Sequence, residues 1–272
     1  MPTIETWLQK NQNIYRQELR LLASNFLGLS KAELITRCSE DITPELIDYL
    51  TYNLQELKTG TPFFYLYGNR EFWSMDFEVN EDVLIPRPET ELLVEKAIKV
   101  VKCNGRVLEL GTCSGAISIA LAKERPDLNI VATDASVKAL KVARRNINKQ
   151  ECKVNLIASD WFAGFRGSWD AIISNPPYIA QNDPYLLDLK KEPSMALVAG
   201  ISGYEALFRI ISEAHRHLNE NGYIILEHGF DQATEIKRRL ATSFYYDVTS
   251  YKDLNEIDRV TIAKRIQVNQ HG

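Results

Sequence analysis

The tetrapeptide Asn175-Pro176-Pro177-Tyr178 closes an apolar run, Ala171 to Asn175, and carries the most specific chemistry in this 272-residue chain. An asparagine side chain presents an oxygen that accepts an N–H, and rigid prolines hold a backbone carbonyl ready to accept a second. Two such acceptors can grip a planar NH2 group whose lone pair is delocalised and aim its nitrogen at an electrophile. They also stabilise the positive charge that develops on that nitrogen. Holding the reacting atoms in line contributes on the order of 7 to 11 kcal/mol of barrier lowering. Tyr178 would wall the pocket and exclude water. No catalytic histidine or cysteine is required, since a carboxamide nitrogen that has gained a methyl group sheds its extra proton readily.

The electrophile is read from three earlier segments. Gly111-Thr112-Cys113-Ser114-Gly115 lies between a candidate strand, Arg106 to Leu110, and an apolar helix from Ala116 to Lys123. Glycines there let backbone approach a ligand at a helix N-terminus, although a tight turn would use them too. About twenty residues on, the next strand ends in Asp134, an acid able to accept both hydroxyls of a ribose. The loop lacks the G-x-G-x-x-G spacing of a pyrophosphate site, which favours S-adenosyl-L-methionine over a dinucleotide. At the end of the third strand, Ser159-Asp160-Trp161-Phe162 offers a carboxylate and two aromatics to an adenine, and the same two rings are also explained as core.

Positioning these groups takes a sheet. Arg106–Leu110, Ile130–Asp134, Val154–Ser159, Ala171–Asn175 and Tyr223–Glu227 alternate with helical patterns, which predicts an α/β fold with a mostly parallel sheet and helices on both faces. Tyr245–Ser250 and Arg259–Ala263 follow without an intervening helix and predict a terminal antiparallel hairpin, giving the seven-stranded, Rossmann-like sheet of a class I methyltransferase. Residues 1–62 are helical in period, with a capping box at Ser30-x-x-Glu33 and a start at Thr43-Pro44, and predict a small helical domain. Residues 63–84, rich in aromatics around Gly68-Asn69, predict a β-hairpin linker, and 85–272 form the catalytic domain.

Composition narrows the partners. Residues 1–80 carry 7 Lys/Arg against 11 Asp/Glu and the rest 25 of each, so the chain lacks the basic excess that phosphate neutralisation demands of a nucleic-acid binder. Cys38, Cys103, Cys113 and Cys152 form no C-x-x-C pair, and His215 and His217 would point about 200° apart on a helix, so no metal site is expected. No apolar run nears the roughly 18 residues of a membrane span and the start is polar, which predicts a cytoplasmic protein.

With Asn175–Tyr178, the segments Tyr67-Gly-Asn-Arg-Glu-Phe-Trp73, Leu84-Ile-Pro-Arg-Pro-Glu-Thr-Glu-Leu-Leu-Val94, Ser159–Phe162 and Leu226-Glu-His-Gly229 closely resemble the peptide chain release factor N5-glutamine methyltransferases. The resemblance spans nearly the whole chain. It implies methylation of the glutamine in the Gly-Gly-Gln motif of class I release factors, with the N-terminal helical domain as a substrate-binding domain that helps to hold that protein; the chain is expected to be monomeric, and its charge balance predicts no stable nucleic-acid partner. It implies further that Glu109, Gly111, Thr112, Cys113, Ser114, Gly115, Asp134, Asp160, Trp161, Phe162 and Asn175 surround the cofactor, and that Asn175, Pro176, Pro177 and Tyr178 hold the amide. Arg87 and Glu89 lie in a shared motif whose role is open at this stage. Cys113 departs from the family's usual glycine, where a Cβ would meet a positive φ, and the loop from Ile179 to Lys191 is short. Two rival readings follow: an adenine-N6 nucleic-acid methyltransferase acting through the same tetrapeptide, and a non-catalytic S-adenosylmethionine-binding module with Cys113 as the lesion.

Overall fold

The computed structural model describes residues 2–11, 15–165 and 167–267, and the chain divides into two compact units, Met1–Asn69 and Arg70–Gly272.

The first unit is helical: α1 (Ile4–Lys10), α2 (Arg16–Leu27), α3 (Lys31–Thr36), α4 (Pro44–Lys58) and α5 (Phe63–Tyr67). Thr3 and Ser30 each close a capping box, and Thr43 caps α4 ahead of Pro44, so side-chain oxygens satisfy backbone N–H groups that a helix start leaves free. Leu46, Leu50, Leu54 and Leu57 repeat at helical spacing and bury against Leu19 and Leu22 of α2.

In the second unit a hairpin, β1 (Asn69–Phe72) and β2 (Met75–Glu78), precedes α6 (Glu91–Val100). Its turn is Trp73-Ser74, with φ of 51° and 56°, and not Gly68-Asn69. Gly68 instead ends α5 in the left-handed region, where it pays no Cβ penalty. Tertiary bonds select the turn: Trp73 donates its backbone N–H to Glu91 at 2.7 Å and its indole N–H to Glu124 at 2.8 Å.

The chain then runs through β3 (Arg106–Leu110), α7 (Ala116–Glu124), β4 (Asn129–Asp134), α8 (Val137–Gln150), β5 (Asn155–Ala158) and β6 (Trp169–Ser174). A covering segment follows, with β7 (Ile179–Ala180), α9 (Ser194–Leu197) and β8 (Val198–Gly200), and then α10 (Glu205–Ala214), β9 (Leu218–Glu227), α11 (Ala233–Ala241), β10 (Tyr245–Lys252) and β11 (Asp258–Arg265). The large sheet has the order β10-β11-β9-β6-β3-β4-β5, and only β11 runs antiparallel to its neighbours. Both faces are buried, which is why its central strands read as continuous apolar runs. Val107, Ile173 and Ile225 face α6, α7 and α8, while Leu108, Leu110, Ile172 and Ile224 face α10 and α11.

Candidate active site

Strand order reverses between β3 and β6, so the loops leaving β3, β4, β5 and β6 converge at one carboxyl edge, where an open α/β sheet forms its crevice. In register, Leu110 pairs with Thr133 and Ser174, which brings Gly111, Asp134 and Asn175 to one level. A cavity of about 480 Å³ opens there, lined by Gly111, Cys113, Asp134, Trp161, Asn175 and Pro177 among others. That is the size of a small-molecule site.

The glycine loop works through two different glycines. Gly111 (φ 72°) has open space where a side chain would stand, leaving bare backbone for a ligand. Gly115 (φ 85°) starts α7, and a Cβ there would come within 3.3 Å of Ala143 on α8, so it serves packing. Between them Cys113 does adopt a positive φ, 56°, and its backbone N–H donates to Asp134 Oδ2 at 2.8 Å. Its thiol turns toward Leu84, whose N–H lies 2.9 Å from Sγ, and burial pushes that thiol up to about 12. Asp134 also accepts the Ser136 N–H at 2.8 Å, and burial raises its carboxyl, so the side chain is held in place with lone pairs to spare.

Several expected ligands support the site from below instead of lining it. Glu109 and Thr112 are buried and bonded to each other at 2.8 Å, and burial pushes the Glu109 carboxyl up to about 7. Ser114 gives its carbonyl to Asn146 Nδ2 at 2.9 Å, and Asn146 also pairs with the Glu78 backbone, tying the hairpin to the loop. The Ser159–Phe162 segment separates its two rings: Trp161, at φ 51°, lines the cavity, whereas Phe162 stacks on His217 at 4.7 Å in the core. Asp160, expected to accept an adenine amine, does line the cavity, and its exposed carboxylate is held by both terminal nitrogens of Arg209 at 3.1 Å with lone pairs to spare.

The tetrapeptide Asn175–Tyr178 divides too. Asn175 and Pro177 line the cavity, while Tyr178 packs against the core under the loop and burial pushes its phenol up. Tyr178, expected to wall the pocket, is not among the residues that line this cavity. Its carbonyl accepts Gln232 Nε2 at 3.1 Å, which fixes the turn. Asn175 Nδ2 donates to the Thr90 hydroxyl at 3.1 Å.

The Ile-Pro-Arg-Pro segment acquires a role from contacts invisible in sequence. Glu192, buried in the covering segment, accepts from Arg87 Nη2 at 2.5 Å and from the Ile85 N–H at 3.2 Å. This anchors Pro193, Met195 and Ala196 along the cavity. Thr90, Asn146 and Glu192 were all missed by motif. Only Asn146 leaves a trace, as a polar residue amid Val142, Ala143 and Ile147 on the apolar face of α8.

The donor set suits a nucleoside bearing an amino acid: backbone exposed at Gly111, a half-buried acid at Asp134, an indole at Trp161, and neither a pyrophosphate loop nor, among the described residues, a cluster of three metal-ligating side chains. No helix among them is long and apolar enough to cross a membrane.

Residues 88–188 match the family described as Methyltransferase small domain. The chain is 39% identical to a release factor glutamine methyltransferase of Coxiella burnetii over 254 residues, covering 92% of each chain. It is 38% identical to one of Neisseria gonorrhoeae over 267 residues, 96% of this chain and 97% of that one, and 36% identical to one of Escherichia coli, 93% of each. The crystal structure of a methyltransferase from Pyrococcus furiosus matches 80% of this chain and 100% of its own with a TM-score of 0.56 at 20% identity, a likeness of fold. An end-to-end likeness that takes in both the helical unit and the Asn-Pro-Pro-Tyr cavity leaves one assignment: the chain belongs to the release factor glutamine methyltransferase family.

Proposed function

We propose that the protein transfers a methyl group from S-adenosyl-L-methionine to the side-chain amide nitrogen of the glutamine in the Gly-Gly-Gln motif of class I release factors, giving N5-methylglutamine and S-adenosyl-L-homocysteine. The observation that carries this reading is the carboxamide of Asn175 opening on the same cavity as Gly111 and Asp134, in a chain related end to end to release factor glutamine methyltransferases. When bound, S-adenosyl-L-methionine supplies an electrophilic methyl carbon on a sulfonium. Gly111, Cys113, Asp134 and Trp161 hold it, Asp134 through the ribose hydroxyls and Trp161 against the adenine.

Asn175 Oδ1 accepts one N–H of the glutamine amide, and a backbone carbonyl of the proline turn accepts the other. The two acceptors localise the nitrogen lone pair and offset the charge that grows there. Pro177 walls the site, and the segment anchored by Arg87 and Glu192 keeps water out. After transfer the amide nitrogen gives its extra proton to solvent. The helical unit helps hold the release factor, and the enzyme works as a cytoplasmic monomer without a stable nucleic-acid partner.

A competition tests this against an adenine-directed reaction. Protein, labelled S-adenosyl-L-methionine, a release factor and an adenine-containing duplex are incubated together at low salt. The expected label is on protein alone, and label on the duplex overturns the reading.

A further inference from the structure

An asparagine carboxamide has two faces of opposite chemistry, and only one activates an amide: if Nδ2 faced the substrate, it would compete with the substrate N–H groups as a donor. Thr90 is the side chain bonded to Asn175, but a hydroxyl either accepts from Nδ2 or donates to Oδ1, so Thr90 alone does not choose the sense. Something must commit its proton.

Glu227 is the group placed to do so. It is the last residue of β9, one step beyond the Ser174–Leu226 pair of β6 and β9, and so lies level with Asn175 on the face capped by the start of α6. It is buried, its Oε2 has no hydrogen-bond partner among the described residues, the Thr90 hydroxyl and the Tyr178 phenol lie against it, and it feels the charges of Arg259 and Glu89. Pro88 and the Thr90 N–H bond to the Arg87 carbonyl, 3.1 Å, fix the turn that carries Thr90. An ionised carboxylate only accepts.

We propose that Thr90, with Glu227 behind it, is the positioning residue that sets the sense of the Asn175 carboxamide: the Glu227 carboxylate accepts the hydrogen bond of the Thr90 hydroxyl, Thr90 accepts from Asn175 Nδ2, and Oδ1 is left as the acceptor facing the substrate. Asn175 Oδ1 makes no hydrogen bond among the described residues, as a reserved acceptor requires. The relay exists independently of the substrate, while its catalytic consequence rests on the amide reading above.

The test compares full-length wild type, Thr90→Ser and Thr90→Val at pH 8, above the value of about 7 to which burial pushes the Glu227 carboxyl. The side-chain NH2 of Asn175, identified by its loss in Asn175→Asp, is followed by 15N-edited NMR. One proton is expected to be shifted downfield and protected from exchange in wild type and Thr90→Ser, and unprotected in Thr90→Val. In methyl transfer to a release factor, Thr90→Val is expected to lose kcat by roughly 10- to 100-fold with cofactor Kd unchanged, and Thr90→Ser to recover most of it. An Asn175 signal indifferent to Thr90→Val, or an undiminished kcat, overturns the proposal. If Thr90→Val does not fold, Thr90→Ala takes its place. Wild type that orders the Asn175 amide as described yet methylates no glutamine would overturn the glutamine reading and leave the relay standing.

Discussion

On the proposed reading, truncating Asn175 to alanine removes the substrate's acceptor and leaves the cofactor half of the cavity in place. Asn175→Ala is therefore expected to lower kcat by roughly 100- to 1,000-fold while calorimetry finds cofactor affinity little changed. Asp134→Ala should do the reverse first, weakening cofactor binding by about 10- to 100-fold through loss of charge-assisted hydrogen bonds. Cys113 makes a different claim. Its thiol is half-buried against Leu84 and pushed up to about 12, whereas Cys103 is exposed, so native alkylation at pH 8 is expected to label Cys103 faster than Cys113. Labelling of Cys113 as fast as that of Cys103 would contradict the contact of its thiol with Leu84. The meeting of Asn175 and Asp134 at one cavity was legible because each stands at the carboxyl end of a strand of the sheet. Thr90 and Glu227 were not, since Thr90 meets Asn175 across 85 residues of chain and a motif match assigns no partner. Phe162 was misplaced because the positive φ at Trp161 turns neighbouring rings apart, which residue type does not record.

Among the elements, the strands of the parallel sheet announce themselves through short apolar runs bounded by helical periods, and their observed bounds differ from the expected ones by a residue or two except in β9, which starts at Leu218 instead of Tyr223. The hairpin turn shifted because Glu91 and Glu124, remote in sequence, hold Trp73. The covering segment stayed unread because its pieces are too short for any period, β7 being 2 residues and β8 being 3. Arg87 and Glu192 give that segment its footing. Arg87→Ala would leave a buried carboxylate with the Ile85 N–H as its remaining partner, a loss of about 1–3 kcal/mol felt locally. The expected result is weaker cofactor binding and faster proteolysis within residues 184–197, with the rest of the unit intact. Unchanged cleavage would show that the pair does not anchor the cover.

At the scale of the whole molecule, burying carboxyls at the ends of β3 and β9 makes stability depend on pH. Burial pushes Glu227 from an ordinary 4.5 up to about 7. Between those values the folded chain keeps the proton and the unfolded chain has released it, so this group's contribution falls as pH rises through the window and is level above it. His215, His217 and His228, lowered by burial, act with the opposite sign below 6.5. The comparison with Glu227→Gln isolates the carboxyl: urea unfolding should shift in the variant's favour between pH 5 and pH 8 by up to about 3 kcal/mol, and parallel curves would contradict it. The central claim, a methyl placed on one glutamine of a release factor, is tested most directly by the intact mass of that factor after incubation with the protein and S-adenosyl-L-methionine, beside the same factor with its Gly-Gly-Gln glutamine changed to alanine. A gain of one methyl group on the first and none on the second is the predicted result. A methyl on both, or on neither when calorimetry shows the cofactor bound, would contradict it.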